Sequence, residues 1–151
     1  MDESLITNMK NQLQLKEVDI RSYSSLALAY IGDAVYEVII RTIVLNQGNM
    51  AVHKYHHRSS HLVNATAQSQ MMHTLEPLLT KEELAVYKRG RNAKSYTVAK
   101  HASVIDYRRA TGFEALIGYL YLKEDMDRIF YLVKIGLHIG EEQNDSRNND
   151  D

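Results

Sequence analysis

Two acidic residues stand out because each is isolated on a stretch that is otherwise apolar. In the segment LALAYIGDAVYEVIIRTIVL, Asp33, Glu37 and Arg41 recur at i, i+4 and i+8, which on a helix forms one narrow polar stripe. In ATGFEALIGYLYL, Glu114 is the only charge between Arg109 and Lys123. A glycine accompanies each acid: Gly32 immediately before Asp33, and Gly118 one turn after Glu114 on the same face. A helical glycine costs roughly 1 kcal/mol relative to alanine, which makes sense where something must approach the backbone closely. Two such helices suggest acids that face each other. Converging carboxylates call for a cation, and all-oxygen ligation suits Mg2+ or Mn2+. Taken singly, the features have plainer explanations. Asp33, Glu37 and Arg41 would form a solvent face with a Glu37–Arg41 pair, and Glu114 would be a first-turn acid favoured by the helix dipole. The width of the apolar surface on the first segment speaks against a simple solvent face, because a monomer needs only one buried face.

A second chemistry is electrostatic. The formal net charge of −1 argues against a simple nucleic-acid-coating protein, but the charges are unevenly placed. Residues 88–109 carry seven Lys or Arg against one acid, Asp106, whereas residues 141–151 carry five acids against one Arg. A basic stripe masked in the total by an acidic tail is a footprint for a polyanion, set against the plainer reading of a solvated loop. Lys88, Arg89, Arg91 and Lys94 are the candidate phosphate contacts, with Asn92, Lys100 and Arg108 in the same segment. His53, His57 and His61 stand one turn apart, beside His56, and imidazoles so placed can share a cation. Three successive turns do not easily converge on one ion, and no acid lies between Arg41 and Glu76. A polar face mixed with Lys54 and Arg58 is the favoured reading. Tyr30, Tyr36, Tyr119 and Tyr121 fall on apolar segments and read as core or dimer contacts rather than base-stacking platforms.

The elements that must position these groups read as helices. One proline and seven glycines in 151 residues leave long helices uninterrupted, and abundant Leu, Ala, Ile and Met points to an all-α, single-domain chain. Residues 1–22 read as a short amphipathic helix and linker, 23–140 as the domain, and 141–151 as a disordered acidic tail. Within the domain, Ser22, Ser24 or Ser25 caps a helix over 24–45, ended by the polar cluster at 46–49. A second helix covers 51–75 and Pro77 closes it. Thr80 and Glu83 form a capping box opening a helix that ends near Gly90. Residues 91–102 lack apolar periodicity and read as a basic loop; helices over 103–122 and 125–140 follow.

The absence of cysteine excludes disulfides and thiolate metal sites and fits a reducing cytosol. The opening MDESLITNMKNQLQ is unlike a signal peptide. No apolar run approaches the ~20 residues needed to cross a bilayer, and the longest candidate, 26–45, is interrupted by Asp33, Glu37 and Arg41. The expectation is a soluble, cytoplasmic protein.

These residues together resemble the ribonuclease III family. Its domains carry an apolar run followed by Gly-Asp-(Ala/Ser)-(Val/Ile), matched by 31–35, and a later Glu-Ala-Leu-(Ile/Leu)-Gly, matched by 114–118. The closer resemblance is to the mini-ribonuclease III subfamily, which lacks a double-stranded-RNA-binding domain. It is carried by LALAYIGDAVYEV, KRGRNAKS and FEALIGYLYL, in order across 24–123. Full-length members have acids where this chain has Leu26, Ala29 and Thr111, departures that the mini subfamily shares. The resemblance implies Asp33 and Glu114 as catalytic metal ligands, with Glu37 open as a third. It further implies a homodimer, metal-assisted hydrolysis of double-stranded RNA to 5′-phosphate and 3′-hydroxyl ends, and maturation of 23S ribosomal RNA. A duplex is recognised largely by shape and backbone, which the basic segment suits. The alternative is a non-catalytic RNA-binding scaffold of the same fold, which would need neither acid. A helical protein–protein adaptor would explain the apolar surface but not the basic segment.

Overall fold

The computed structural model describes residues 4–93 and 103–141. Those residues form seven α-helices and two 3-10 turns, with no strand among them, so the all-α expectation holds. Helix α1 (Leu5–Leu13) is followed by a 3-10 turn at Ile20–Ser22. Of the three serines able to start α2 (Ser25–Leu45), Ser24 does so, its hydroxyl accepting from the Ala27 N–H at 3.1 Å.

The helix expected over 51–75 is two helices, α3 (Val52–Val63) and α4 (Ala65–Leu75), which meet at Asn64. Asn64 takes an extended conformation with ψ 160, and its Oδ1 accepts from the Ala67 N–H at 2.8 Å, capping α4. A 3-10 turn at Glu76–Leu78 carries Pro77, and α5 (Lys81–Asn92) opens with the expected capping box. Thr80 Oγ1 accepts from the Glu83 N–H at 3.2 Å and Glu83 Oε1 accepts from the Thr80 N–H at 2.8 Å. The helix runs past Gly90 to Asn92, so Lys88 and Arg89 are helical as expected, and Arg91 and Asn92 are helical rather than part of the basic loop. Then come α6 (Val104–Leu122), capped by Ser103, and α7 (Met126–Gly136), capped by Asp125. Helix α7 ends short of residue 140 because His138 turns left-handed at φ 57 and Ile139 N–H closes onto Lys134 O at 3.0 Å.

Helix α6 is the centre. Ala110, Gly112, Phe113 and all residues 115–121 are buried, with α2, α4, α5 and α7 packed around it. The sequence points to α2 as the helix covered on most sides, but within one chain α2 buries a single stripe, including Leu28, Tyr36, Ile40 and Val44. Ile31, Val35, Ile39 and Ile43 are only partly covered and Val38 is 65% exposed. With Phe130 they line an apolar depression of about 690 Å3.

Polar pins hold the bundle. Tyr36 packs edge-on against Phe113 at 5.0 Å, and its hydroxyl donates to Leu62 O at 2.9 Å. Burial raises the Tyr36 hydroxyl well above its usual pKa. Arg128 forks onto Glu83 with two bonds of 2.8 Å, tying α7 to α5. The guanidinium, ahead of the Thr80 bonds, holds the Glu83 carboxyl below its ordinary range despite burial. Tyr36, Tyr119 and Tyr121 are buried, as a core reading requires, whereas Tyr30 is 82% exposed.

Candidate active site

The site is built by a backbone-to-backbone crossing of α2 and α6. A methyl group at Gly32 would lie 1.7 Å from the Glu114 carbonyl oxygen and 2.7 Å from the Gly118 nitrogen. One at Gly118 would lie 1.9 Å from the Leu28 carbonyl oxygen. No side chain fits at either position, so the two glycines let the helices touch. The residue after Gly32 is Asp33, and the α6 residue whose carbonyl it touches is Glu114. The contact therefore sets the two acids side by side.

Both carboxylates line one cleft of about 480 Å3, between α2, α4 and α6. Asp33 is exposed and Glu114 is half-buried. No residue described as lining this cleft carries a positive charge. Burial first, then the charge of Asp33 and hydrogen bonding with it, push the Glu114 carboxyl up to about 8. Two carboxylates held together in this way form an oxygen-only donor pair for a divalent cation. They form a pair rather than a cage: among the described residues no three His, Asp or Glu side chains come together as a metal-binding group. A further oxygen is at hand in Gln68 on α4. It lines the same cleft, is 2% exposed, and its Oε1 has no hydrogen-bond partner among the described residues. An orphaned buried acceptor beside two acids fits a hydrated cation.

Leu26, Ala29 and Thr111 line the same cleft.

The other candidates fall in three places. Glu37 accepts from Arg41 Nε at 2.8 Å and does not line the cleft, so the structure does not bring it to the acid pair. Lys88, Arg89 and Asn92 are exposed on the last turn of α5. Arg91, half-buried, lies over the Tyr87 ring at 5.7 Å and donates to Asn92 Oδ1 at 3.3 Å. This turn is pressed onto α6: a methyl group at Gly90 would meet Ala115 Cβ at 2.8 Å and Gly112 Cα at 2.9 Å. The basic turn therefore abuts the turn of α6 that bears Glu114. Arg108 is exposed near the start of α6. Lys94 and Lys100 lie outside the described residues, as do residues 142–151 of the acidic tail. His53, His57 and His61 are exposed, with the Nε2 atoms of His57 and His61 3.2 Å apart.

Sequence reasoning missed Gln68 and Tyr107, both lining the cleft. Gln68 sits in ATAQSQMMHT, where small polar residues on every side hide which face is buried.

A family profile described as the ribonuclease III domain matches residues 26–125. A mini-ribonuclease 3 from Clostridium tetani is 45% identical over 133 residues, covering 86% of this chain and 88% of that protein. One from a Thermoanaerobacter species is 39% identical over 142 residues, covering 94% and 100%. Among solved structures, a crystal structure of a Fusobacterium nucleatum protein superposes with a TM-score of 0.73 at 32% identity. It covers 81% of this chain and 98% of that one.

Proposed function

The chain belongs to the ribonuclease III family, and from that premise we propose that it is a metal-dependent endoribonuclease cutting double-stranded RNA as a homodimer. The observation that carries the reading is the meeting of Asp33 and Glu114 in one cleft with no cationic side chain among the described residues that line it. A scaffold needs no such pair, because two close carboxylates repel unless something positive joins them. The cation is Mg2+, with Mn2+ as substitute. When bound, it lowers the pKa of a water and offsets the charge developing on the phosphoryl group.

The chain's own residues do the rest. Asp33, exposed at the mouth of the cleft, is the first carboxylate a cation meets. Glu114 holds its proton up to about pH 8. Cation capture is therefore coupled to loss of that proton from the Glu114 carboxyl. The Gly32–Gly118 crossing fixes the spacing of the two acids through backbone contact. Lys88, Arg89, Asn92, Arg108 and half-buried Arg91 hold the phosphate backbone, and Lys94 and Lys100, outside the described residues, are proposed for the same role. Such contacts position a duplex and carry little sequence information. The apolar face of α2 meets that of a second copy, which sets two clefts along one duplex. The substrate is a structured ribosomal RNA precursor, the 23S species, and the products end in 5′-phosphate and 3′-hydroxyl.

The test is duplex RNA with and without Mg2+, using wild type and Asp33→Asn. Wild type cuts only with Mg2+, while the variant stays folded, binds the duplex and does not cut. Wild type that binds duplex RNA and never cuts it would return the chain to the scaffold reading.

A further inference from the structure

Among the described residues, Gln68 is the buried polar side chain in the cleft that the reading above leaves without work. Its Nε2 donates to Val63 O at 3.1 Å, which fixes the orientation of the amide. The nitrogen is thereby spent on the backbone where α3 ends. The oxygen has no partner and is shielded from bulk water. Leaving an acceptor buried and unused is costly, and a fold keeps such a group where it has a use outside the chain itself.

The composition of the cleft says what that use is. With Leu26, Ala29 and Thr111 in its walls, the cleft offers a cation two carboxylates among the described residues. A small divalent cation held by one or two carboxylates keeps several waters, and each water presents protons that need acceptors. Thr111 uses its hydroxyl proton on Tyr107 O at 3.0 Å. Gln68 lines the α4 wall of the same cleft, and its Oε1 is an acceptor left unpartnered among the described residues.

We propose that Gln68 is a positioning residue whose Oε1 accepts a hydrogen bond from a water in the hydration shell of the cation held by Asp33 and Glu114. This rests on the metal-dependent reading above. Gln68 does not touch the cation. It orients the shell from the α4 side, so that a site with two carboxylates still holds its cation in one geometry.

Two substitutions separate this role from a packing role. Gln68→Met keeps the side chain's length and loses both the bond to Val63 and the acceptor. Gln68→Glu loses the amide donor to Val63 but, in either protonation state, keeps an oxygen that accepts. Mn2+ affinity is read by electron paramagnetic resonance on RNA-free protein, with circular dichroism melts to check the fold. Gln68→Met weakens Mn2+ binding by about tenfold or more, and lowers kcat at sub-saturating Mg2+ with KM for the duplex unchanged. Gln68→Glu binds Mn2+ within about threefold of wild type, or more tightly. Affinity of folded Gln68→Met within about twofold of wild type overturns the proposal. So does an equal loss in both variants, which would trace the effect to the Val63 bond. Asp33→Asn serves as the reference. If it alone loses Mn2+, Gln68 has no role and the acid-pair site stands; if it binds Mn2+ like wild type, the acid-pair site fails as well.

Discussion

Replacing Gly32 with alanine adds one methyl group and tests the crossing that builds the site. The added carbon would stand 1.7 Å from the Glu114 carbonyl oxygen, where ordinary contact begins at 3.4 Å. Neither partner is a flexible side-chain end; both are helix backbone, so the two helices must separate by roughly 1.5 Å, and close-packed interiors transmit such strain. Overpacking of this kind costs about 1–3 kcal/mol, occasionally more. Alanine returns roughly 1 kcal/mol of helix propensity. A backbone obstacle belongs at the upper end of the range, so the net destabilisation is about 2 kcal/mol. The effect on chemistry is larger than the effect on stability. A shift of about 1 Å in a reacting constellation can cost on the order of a hundredfold in rate, and this shift opens the gap between Asp33 and Glu114 directly. Urea denaturation gives the first number and single-turnover cleavage of a duplex at saturating RNA gives the second. Gly118→Ala wedges the same crossing against Leu28 O, so the double variant loses less stability than the sum of the two. A Gly32→Ala protein with an unchanged urea midpoint and wild-type cleavage would refute the backbone-contact account.

Three further outcomes can be checked. The Glu114 carboxyl, at about 8 in the fold against an ordinary 4.5, keeps its proton while the unfolded chain releases its own, so metal-free stability falls as pH rises across that window and levels above it. Glu114→Gln therefore matches wild type near pH 5 and melts higher near pH 9, and saturating Mg2+ reverses the order at the higher pH; parallel melting curves at both pH values would contradict the raised pKa. Replacing the exposed Lys88, Arg89 and Arg108 together with alanine weakens duplex binding and lowers the log–log salt slope by about 1 for each lost phosphate contact, and an unchanged slope in filter binding excludes these side chains. Sedimentation equilibrium of the 17.3 kDa chain gives twice that mass at micromolar concentration, and Val38→Glu, which puts a charge on the open apolar face of α2, gives the monomer; a wild-type monomer ends the dimer proposal.

The helices that carry chemistry were the ones most legible in sequence. Ser24, the Thr80–Glu83 box and the long apolar runs place α2, α5 and α6 because caps and periodicity are local signals. The break at Asn64 is also a capping event, but it lies between helix-compatible residues with neither proline nor glycine. Only the extended backbone of Asn64 distinguishes two helices from one. The same gap in local information hid Gln68, since burial in α4 is imposed by its neighbours and not by its own polarity. The apolar residues of α2 exceed the stripe that it buries within one chain, yet the helix enclosed on nearly all sides is α6. Hydrophobic pattern reports how much surface must be covered and not what covers it.

The distribution of acids follows from which contacts the crossing fixes. Positions 26, 29 and 33 share a face of α2, and 111 and 114 share a face of α6. Beside 33 and at 114 the backbone meets the opposite helix through Gly32 and the Glu114 carbonyl, and a second such contact joins Gly118 to the Leu28 carbonyl. The two acids are thus held in place by main-chain geometry, with leucine, alanine and threonine at the flanking positions 26, 29 and 111. The basic turn of α5 joins the same turn of α6 through Gly90, Gly112 and Ala115. One stretch of α6, residues 111–118, thus sets the distance between the acids and the distance from the acids to the basic turn of α5. Buried on almost every side, that stretch has nowhere to shift, and its enclosure is the structural condition for a two-carboxylate site to keep its geometry.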